Sequence, residues 1–265
     1  MGSTQKHETN TEPRPWVLAE AAWHTVSRTS YEVAILPWGA TEAHNYHLPY
    51  ACDSIQVEHM AIESARLAWE AGARVVTLPT MPFGVQTGQL DIPLCLNVNP
   101  STQAALLEDI VRSLSNQGIR KLVLLNGHGG NDFKAILREL QPRVDVLTCL
   151  LNWYTCVDPR TVFDEPGDHA GEMETSILLH LVPHLVRPLS DAGPGAARPF
   201  RVRALREGWA WTPRVWRATT DDTGVGDPSR ATADKGANYF GAVTARISQF
   251  LVELARTPQE ELYER

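Results

Sequence analysis

The sequence predicts a three-layer αβα fold around a mostly parallel central sheet. Short aliphatic runs alternate with longer helical patterns from about residue 32 to 182, and each helical segment carries a single apolar stripe. Strands are expected at residues 33–36, 74–78, 121–125 and 144–150, which are aliphatic or β-branched and bounded by turn residues. Helices are expected at 54–71 ahead of Gly72, at 101–117 ahead of Gly118, and at 132–140 ahead of Pro142. Leu107, Ile110, Val111 and Leu114 recur at helical spacing, as do Phe133, Ile136, Leu137 and Leu140. One stripe per helix means packing against a sheet, and βα alternation favours parallel strands covered on both faces.

A chain of 265 residues with 43% hydrophobic content can bury a substantial core, and we expect one domain over residues 15–265. Residues 1–14 are polar, lack the apolar centre of a secretory signal, and read as a flexible tail. The stretch 191–199, rich in Gly, Pro and Ala, reads as a surface loop. No apolar run reaches the roughly 18 residues of a membrane span, so a cytoplasmic protein is the simplest placement. The net charge of -7 is spread along the chain without a basic block, which argues against nucleic acid as a partner. Trp209, Trp211 and Trp216 accompany Arg203, Arg206, Arg214 and Arg217. This group reads either as a stacking surface for nucleotides or, more commonly for such clusters, as a buried or subunit-contact patch. Cys52, Cys95, Cys149 and Cys156 lack the paired spacing of a zinc ribbon or a disulfide framework.

Three segments carry chemistry. Glu42, His44, His47 and Asp53 crowd the stretch after the first predicted strand; carboxylate oxygen and neutral imidazole together suit zinc, manganese or ferrous iron. The bland alternative is a solvated Glu42, a packed His47 and a helix-capping Asp53. His128, bracketed by Gly127, Gly129 and Gly130, follows the strand at 121–125, where ligands collect in open α/β sheets. These glycines are expected to take positive φ and let the backbone approach a ligand. In the third segment, His169 and Glu172 lie three apart on an expected helix face, and Glu174 lies about 200° around from Glu172, so one helix offers a single ion only one of the two carboxylates. We expect Glu172 to be that one, with Glu174 facing substrate or supporting a ligand.

In order and spacing the three segments resemble the creatininase (creatinine amidohydrolase) family of metal-dependent amidohydrolases, which includes formamide hydrolases and the mycofactocin-maturing peptidase. The segment from Thr223 to Gly236 resembles the family's C-terminal signature, so the likeness runs from about residue 30 to 245. It implies a creatininase-like fold with two divalent ions per subunit (Zn, Mn or Fe): Glu42 and His128 hold one, His44 and Glu172 the other, and Asp53 bridges them. Creatininase supplies a carboxylate two residues after the strand-end histidine, where this chain has Gly130. That departure places the chain nearer the formamide hydrolase and mycofactocin peptidase branch than creatininase itself. A homo-oligomer, possibly a hexamer, is also implied.

The expected activity is hydrolysis of an amide, cyclic amide or formamide C–N bond in a small molecule by metal-activated water. His169, Asp53 and Glu174 are the catalytic candidates, with His169 donating a proton to the leaving nitrogen or stabilising the oxyanion. His169 also reads as a helix-end residue bonded to backbone. His47 is either a ligand or an outer imidazole orienting one. Cys52 stands where the family usually has threonine; a nucleophilic thiol is disfavoured because water already serves. The loop at residues 87–98 and the pair Asn45 and Tyr46 depart from the family pattern and are expected to reshape the pocket wall, while Trp153 and Tyr154 either stack on substrate or pack in the core. Two other classes remain: a metal-assisted isomerase or lyase on a small polar substrate, and a non-catalytic metal-binding assembly protein.

Overall fold

Buried aliphatic strands with no polar face must be covered on both sides. In the computed structural model, which describes residues 13–264, the strands β1 (Val33–Trp38), β2 (Val75–Thr77), β3 (Lys121–Asn126) and β4 (Leu147–Asn152) form such a sheet. Every pairing is parallel, in the order β2-β1-β3-β4, with Ile35 opposite both Thr77 and Val123 and Val123 opposite Cys149. The chain runs from β1 out to β2, then crosses back over β1 to β3. The switch point therefore lies between β1 and β3, where α/β sheets open a crevice at their carboxyl ends.

The helices are α1 (Trp23–Val26), α2 (Cys52–Glu70), α3 (Pro100–Asn116), α4 (Lys134–Leu140), α5 (Glu172–Leu181), α6 (Arg203–Arg206), α7 (Trp216–Thr219) and α8 (Ala233–Arg256). One face of the sheet buries Val57 and Met60 of α2, Ile177 of α5, and Tyr239, Val243 and Ile247 of α8. The other buries Leu107, Val111 and Leu114 of α3 with Leu140 of α4, Trp38 and Phe133. Burying each of these large side chains contributes on the order of 1.5–3 kcal/mol. Gly72 and Gly118 close α2 and α3 at φ 94° and 82°, a backbone that glycine adopts without strain.

Element ends shift by a few residues from the expected ranges: β4 starts at Leu147 and α4 at Lys134. The long helix α8 is absent from the expectations above. Its buried stripe is diluted by Gly236, Thr244 and Ser248, although Thr232 caps it by accepting from Lys235 N at 3.2 Å. Trp153 is a core residue at 1% exposure, packed on Tyr239, and Tyr154 packs on the same cluster, so neither stacks on a substrate. Of the expected tail, residues 1–12 lie outside the described residues, while Arg14 pairs with Glu20. No helix among the described residues is long and apolar enough to cross a membrane.

Candidate metal centre

The loops leaving β1 and β3 at the switch point bring Glu42, His44 and His128 together. The β3 loop is pinned by Asn126, whose side chain donates to the His128 carbonyl at 2.9 Å and accepts from His128 N at 3.2 Å and Asn131 Nδ2 at 3.0 Å. Asp53 enters from the first turn of α2, where the helix dipole favours a carboxylate. Glu174 enters from the first turn of α5, and His169 from the turn before it, where its backbone bridges Val225 of the C-terminal segment.

Asp53 turns one oxygen to each of two imidazoles. Oδ1 lies 3.1 Å from His44 Nε2, and Oδ2 lies 3.0 Å from His128 Nδ1. Glu42 Oε1 lies 3.1 Å from His128 Nδ1, 3.6 Å from His169 Nδ1 and 4.0 Å from His44 Nε2, while Glu174 Oε2 lies 3.9 Å from His44 Nε2. All six residues are buried. Two candidate ion positions share Asp53: Glu42, Asp53 and His128 around one, and His44, Cys52, Asp53 and Glu174 around the other.

The outer nitrogen of each imidazole meets a backbone carbonyl: His44 Nδ1 that of Glu42 at 3.2 Å, His128 Nε2 that of Val85 at 3.1 Å, and His169 Nε2 that of Ala43 at 2.9 Å. A neutral imidazole has one donor. Spent on a carbonyl, it leaves a lone pair facing a carboxylate, which is repulsive unless a cation or a second proton lies between. Asp53 Oδ2 is buried and faces His128 Nδ1 at 3.0 Å, without a hydrogen bond while that imidazole is neutral. This donor set, with its tautomers fixed from behind, fits divalent metal ions.

The electrostatics agree. Burial acts to lower the pKa values of His44 and His128, yet Cys52 and Asp53 beside the first, and Glu42 and Asp53 beside the second, raise both well above the usual imidazole range. Burial likewise disfavours ionised Asp53 and Glu42, but the charges of His44 and His128 on Asp53, and of His128 and His169 on Glu42, hold both below the ordinary carboxylate range. Burial pushes Glu174 upward and the Cys52 thiol to about 12.

Several expected positions are reassigned. Glu172 does not face the centre: its carboxylate pairs with Lys235 Nζ and accepts from Glu165 N at 2.9 Å. Glu174 takes the inward place instead. One carboxylate does point in and the other away, but His169 precedes the helix across Ala170 at φ 52°, so the three-residue spacing that placed Glu172 beside it does not apply. His47 lies behind the centre, with Nε2 on Thr175 Oγ1 at 2.9 Å; burial lowers its pKa to about 4. Gly127, Gly129 and Gly130 have no positive φ. Gly130 is required by close approach instead, since a Cβ there would lie 2.3 Å from the Val85 carbonyl and 2.4 Å from His128 Nε2.

The rewritten loop supplies Gln89, which sequence reasoning missed. It is buried, its amide donates to Glu42 Oε2, and its own oxygen accepts from Cys95 Sγ at 3.2 Å. Asn45 is engaged away from the centre; it ties its loop to Gly193 at 3.0 Å and to Thr223 Oγ1 at 2.9 Å. Beside the centre opens a cleft of about 400 Å³ lined by Glu42, His128, His169, Phe200, Trp211, Arg214 and Trp216. Trp216 packs on the His169 ring with centroids 4.6 Å apart, and Arg214 pairs with Asp168 at 2.7 Å. Within one chain Trp209 and Trp211 are 74% and 82% exposed, so the tryptophan-rich segment is not a buried cluster.

A parallel α/β sheet with a buried carboxylate–imidazole centre at its switch point defines a metal-binding α/β enzyme. The family profile described as creatinine amidohydrolase matches residues 19–251. The chain thus belongs to the creatininase family, and it is a hydrolase of amide-type carbon–nitrogen bonds. It is 32% identical over 220 residues to the mycofactocin precursor peptide peptidase of Mycobacterium tuberculosis, covering 79% of this chain and 80% of that one. A crystal structure of a candidate creatinine amidohydrolase from Bacteroides fragilis superposes with a TM-score of 0.88 at 43% identity, covering 94% of this chain and 98% of that one. A creatininase structure described as the Mn form superposes at 0.71 with 24% identity, covering 90% and 98%, a likeness of fold.

Proposed function

We propose that the chain is a dinuclear metal amidohydrolase acting on a small amide, cyclic amide or formamide. In this reading Glu42, His128 and Asp53 hold one divalent ion, His44, Glu174 and Asp53 hold the other, and Asp53 is shared. The observation that carries it is the Asp53 carboxylate, with one oxygen 3.1 Å from His44 and the other 3.0 Å from His128. When bound, such an ion pair supplies a water ionisable near neutral pH and polarises a carbonyl oxygen.

The rest falls to the chain's own side chains. Glu42, His128 and His169 line the cleft, so substrate meets the centre on this edge. His169 Nδ1 faces it while Nε2 is held by Ala43 and the ring by Trp216, which suits it to carry a proton to the leaving nitrogen. Glu174 serves as a ligand and not as an acid or base. The cleft suits a small substrate, and the oxygen and nitrogen donors accept Zn, Mn or Fe. The same reading takes residues 15–265 as one domain of a cytoplasmic homo-oligomer, in which the exposed Trp209 and Trp211 would find cover.

The test joins metal analysis of the purified protein to amine and ammonia release across amides, formamides, creatinine and short peptides. Two ions per subunit, amide hydrolysis, and loss of both in Asp53→Ala are expected. Hydrolysis that persists in metal-free protein or in Asp53→Ala overturns the reading.

A further inference from the structure

The second ion position holds a donor unlike the rest. Cys52 is the first residue of α2, fully buried, and its sulfur lies within 4.8 Å of ligand atoms of His44, Asp53 and Glu174. The four atoms also lie within that distance of one another, giving a nitrogen, a sulfur and two carboxylate oxygens around one point. Four mixed donors suit a tetrahedral zinc-type site. A further observation points the same way. Gln56 Nε2 donates to Cys52 Sγ at 2.9 Å, so the sulfur is already engaged as a hydrogen-bond acceptor, as supported metal-bound sulfurs are. The first position, by contrast, has only the oxygens of Glu42 and Asp53 and the nitrogen of His128.

We propose that Cys52 is a thiolate ligand of the ion held by His44, Asp53 and Glu174, which makes the two positions chemically unequal. This rests on the dinuclear reading above. On coordination the thiol gives its proton to solvent and the sulfur lone pair to the ion, with no change of oxidation state. A thiolate is a soft ligand, so this position prefers zinc or cobalt over manganese, while the first position, all oxygen and nitrogen, accepts manganese. A thiol group among the ligands also makes the centre a target for mercurials and for oxidation.

The test uses the full chain reconstituted with cobalt(II) and, separately, with zinc. Sulfur bound to cobalt gives a charge-transfer band in the near ultraviolet, expected at one sulfur per subunit and lost in Cys52→Thr. Zinc-edge X-ray absorption of the unmutated protein is expected to show a sulfur neighbour at about 2.3 Å, a readout independent of whether the variant folds. With two cobalt ions bound per subunit, absence of the band overturns the proposal and leaves the dinuclear reading standing. A band that survives in Cys52→Thr, or a zinc spectrum with only nitrogen and oxygen neighbours, also overturns it. Failure of the unmutated chain to bind any ion overturns both.

Discussion

The side-chain amide of Gln89 donates to Oε2 of Glu42, while Oε1 of the same carboxylate faces His128 and His169. One oxygen is occupied from behind so that the other is presented to the centre. Gln89→Leu frees Glu42 to rotate, and metal affinity is expected to fall about 10–100-fold, measured by competition with a chromophoric chelator. Unchanged affinity would show that Glu42 is positioned by other contacts.

The two carboxylates of α5 separate cleanly. Glu174→Gln is expected to leave one ion per subunit where the parent holds two. Glu172→Gln breaks the pair with Lys235 and is expected to lower Tm with both ions retained. Elemental analysis and thermal melts on the same samples decide it, and ion loss from Glu172→Gln would reverse the assignment.

Metal uptake should release protons. The carboxylates keep His44 and His128 protonated at neutral pH in the metal-free chain, so an arriving ion displaces those protons. Affinity therefore falls as pH is lowered, and titration at pH 7 in weak buffer with an indicator should acidify the solution. In the metal-free protein the raised imidazoles contribute stability that is full below their unfolded value of about 6.5 and fades as pH rises through the folded value. Lowered Asp53 and Glu42 contribute above about 4 and lose that contribution as pH falls. Melts across pH, with and without metal, should show the alkaline loss only without metal.

Restoring a carboxylate after the strand-end histidine should fail. In Gly130→Glu the new Cβ meets the Val85 carbonyl, which is the group that holds His128 Nε2. Lower metal content and lower Tm are expected; a variant that keeps two ions and its Tm would show that the loop yields.

Much of the fold and the crowding of carboxylates and imidazoles was legible because each rests on local pattern. The runs around Ile35, Val123 and Cys149 are aliphatic and short, and Glu42, His44 and His128 sit just beyond strand ends where α/β sheets bind. The choice between Glu172 and Glu174 was not legible, because it depends on Ala170 breaking the helix and on Lys235 arriving from α8. Helix α8 itself was obscured by Gly236 and its small polar residues. Gln89 carried no signal at all, since a glutamine in an irregular loop gains meaning only from what it touches. Trp211 and Trp216 were taken as one cluster, yet one is exposed and the other braces His169.

Gly236 lies where α8 crosses α5, so close that a Cβ would stand 1.9 Å from the Ser176 carbonyl. The helix that carries Glu174 is therefore seated by a residue translated far later than any ligand. During vectorial synthesis the ligand residues emerge from the ribosome well before the surface that orients the last of them. A fragment ending before α8 would then contain every side chain of the candidate centre and lack the surface that seats one of them.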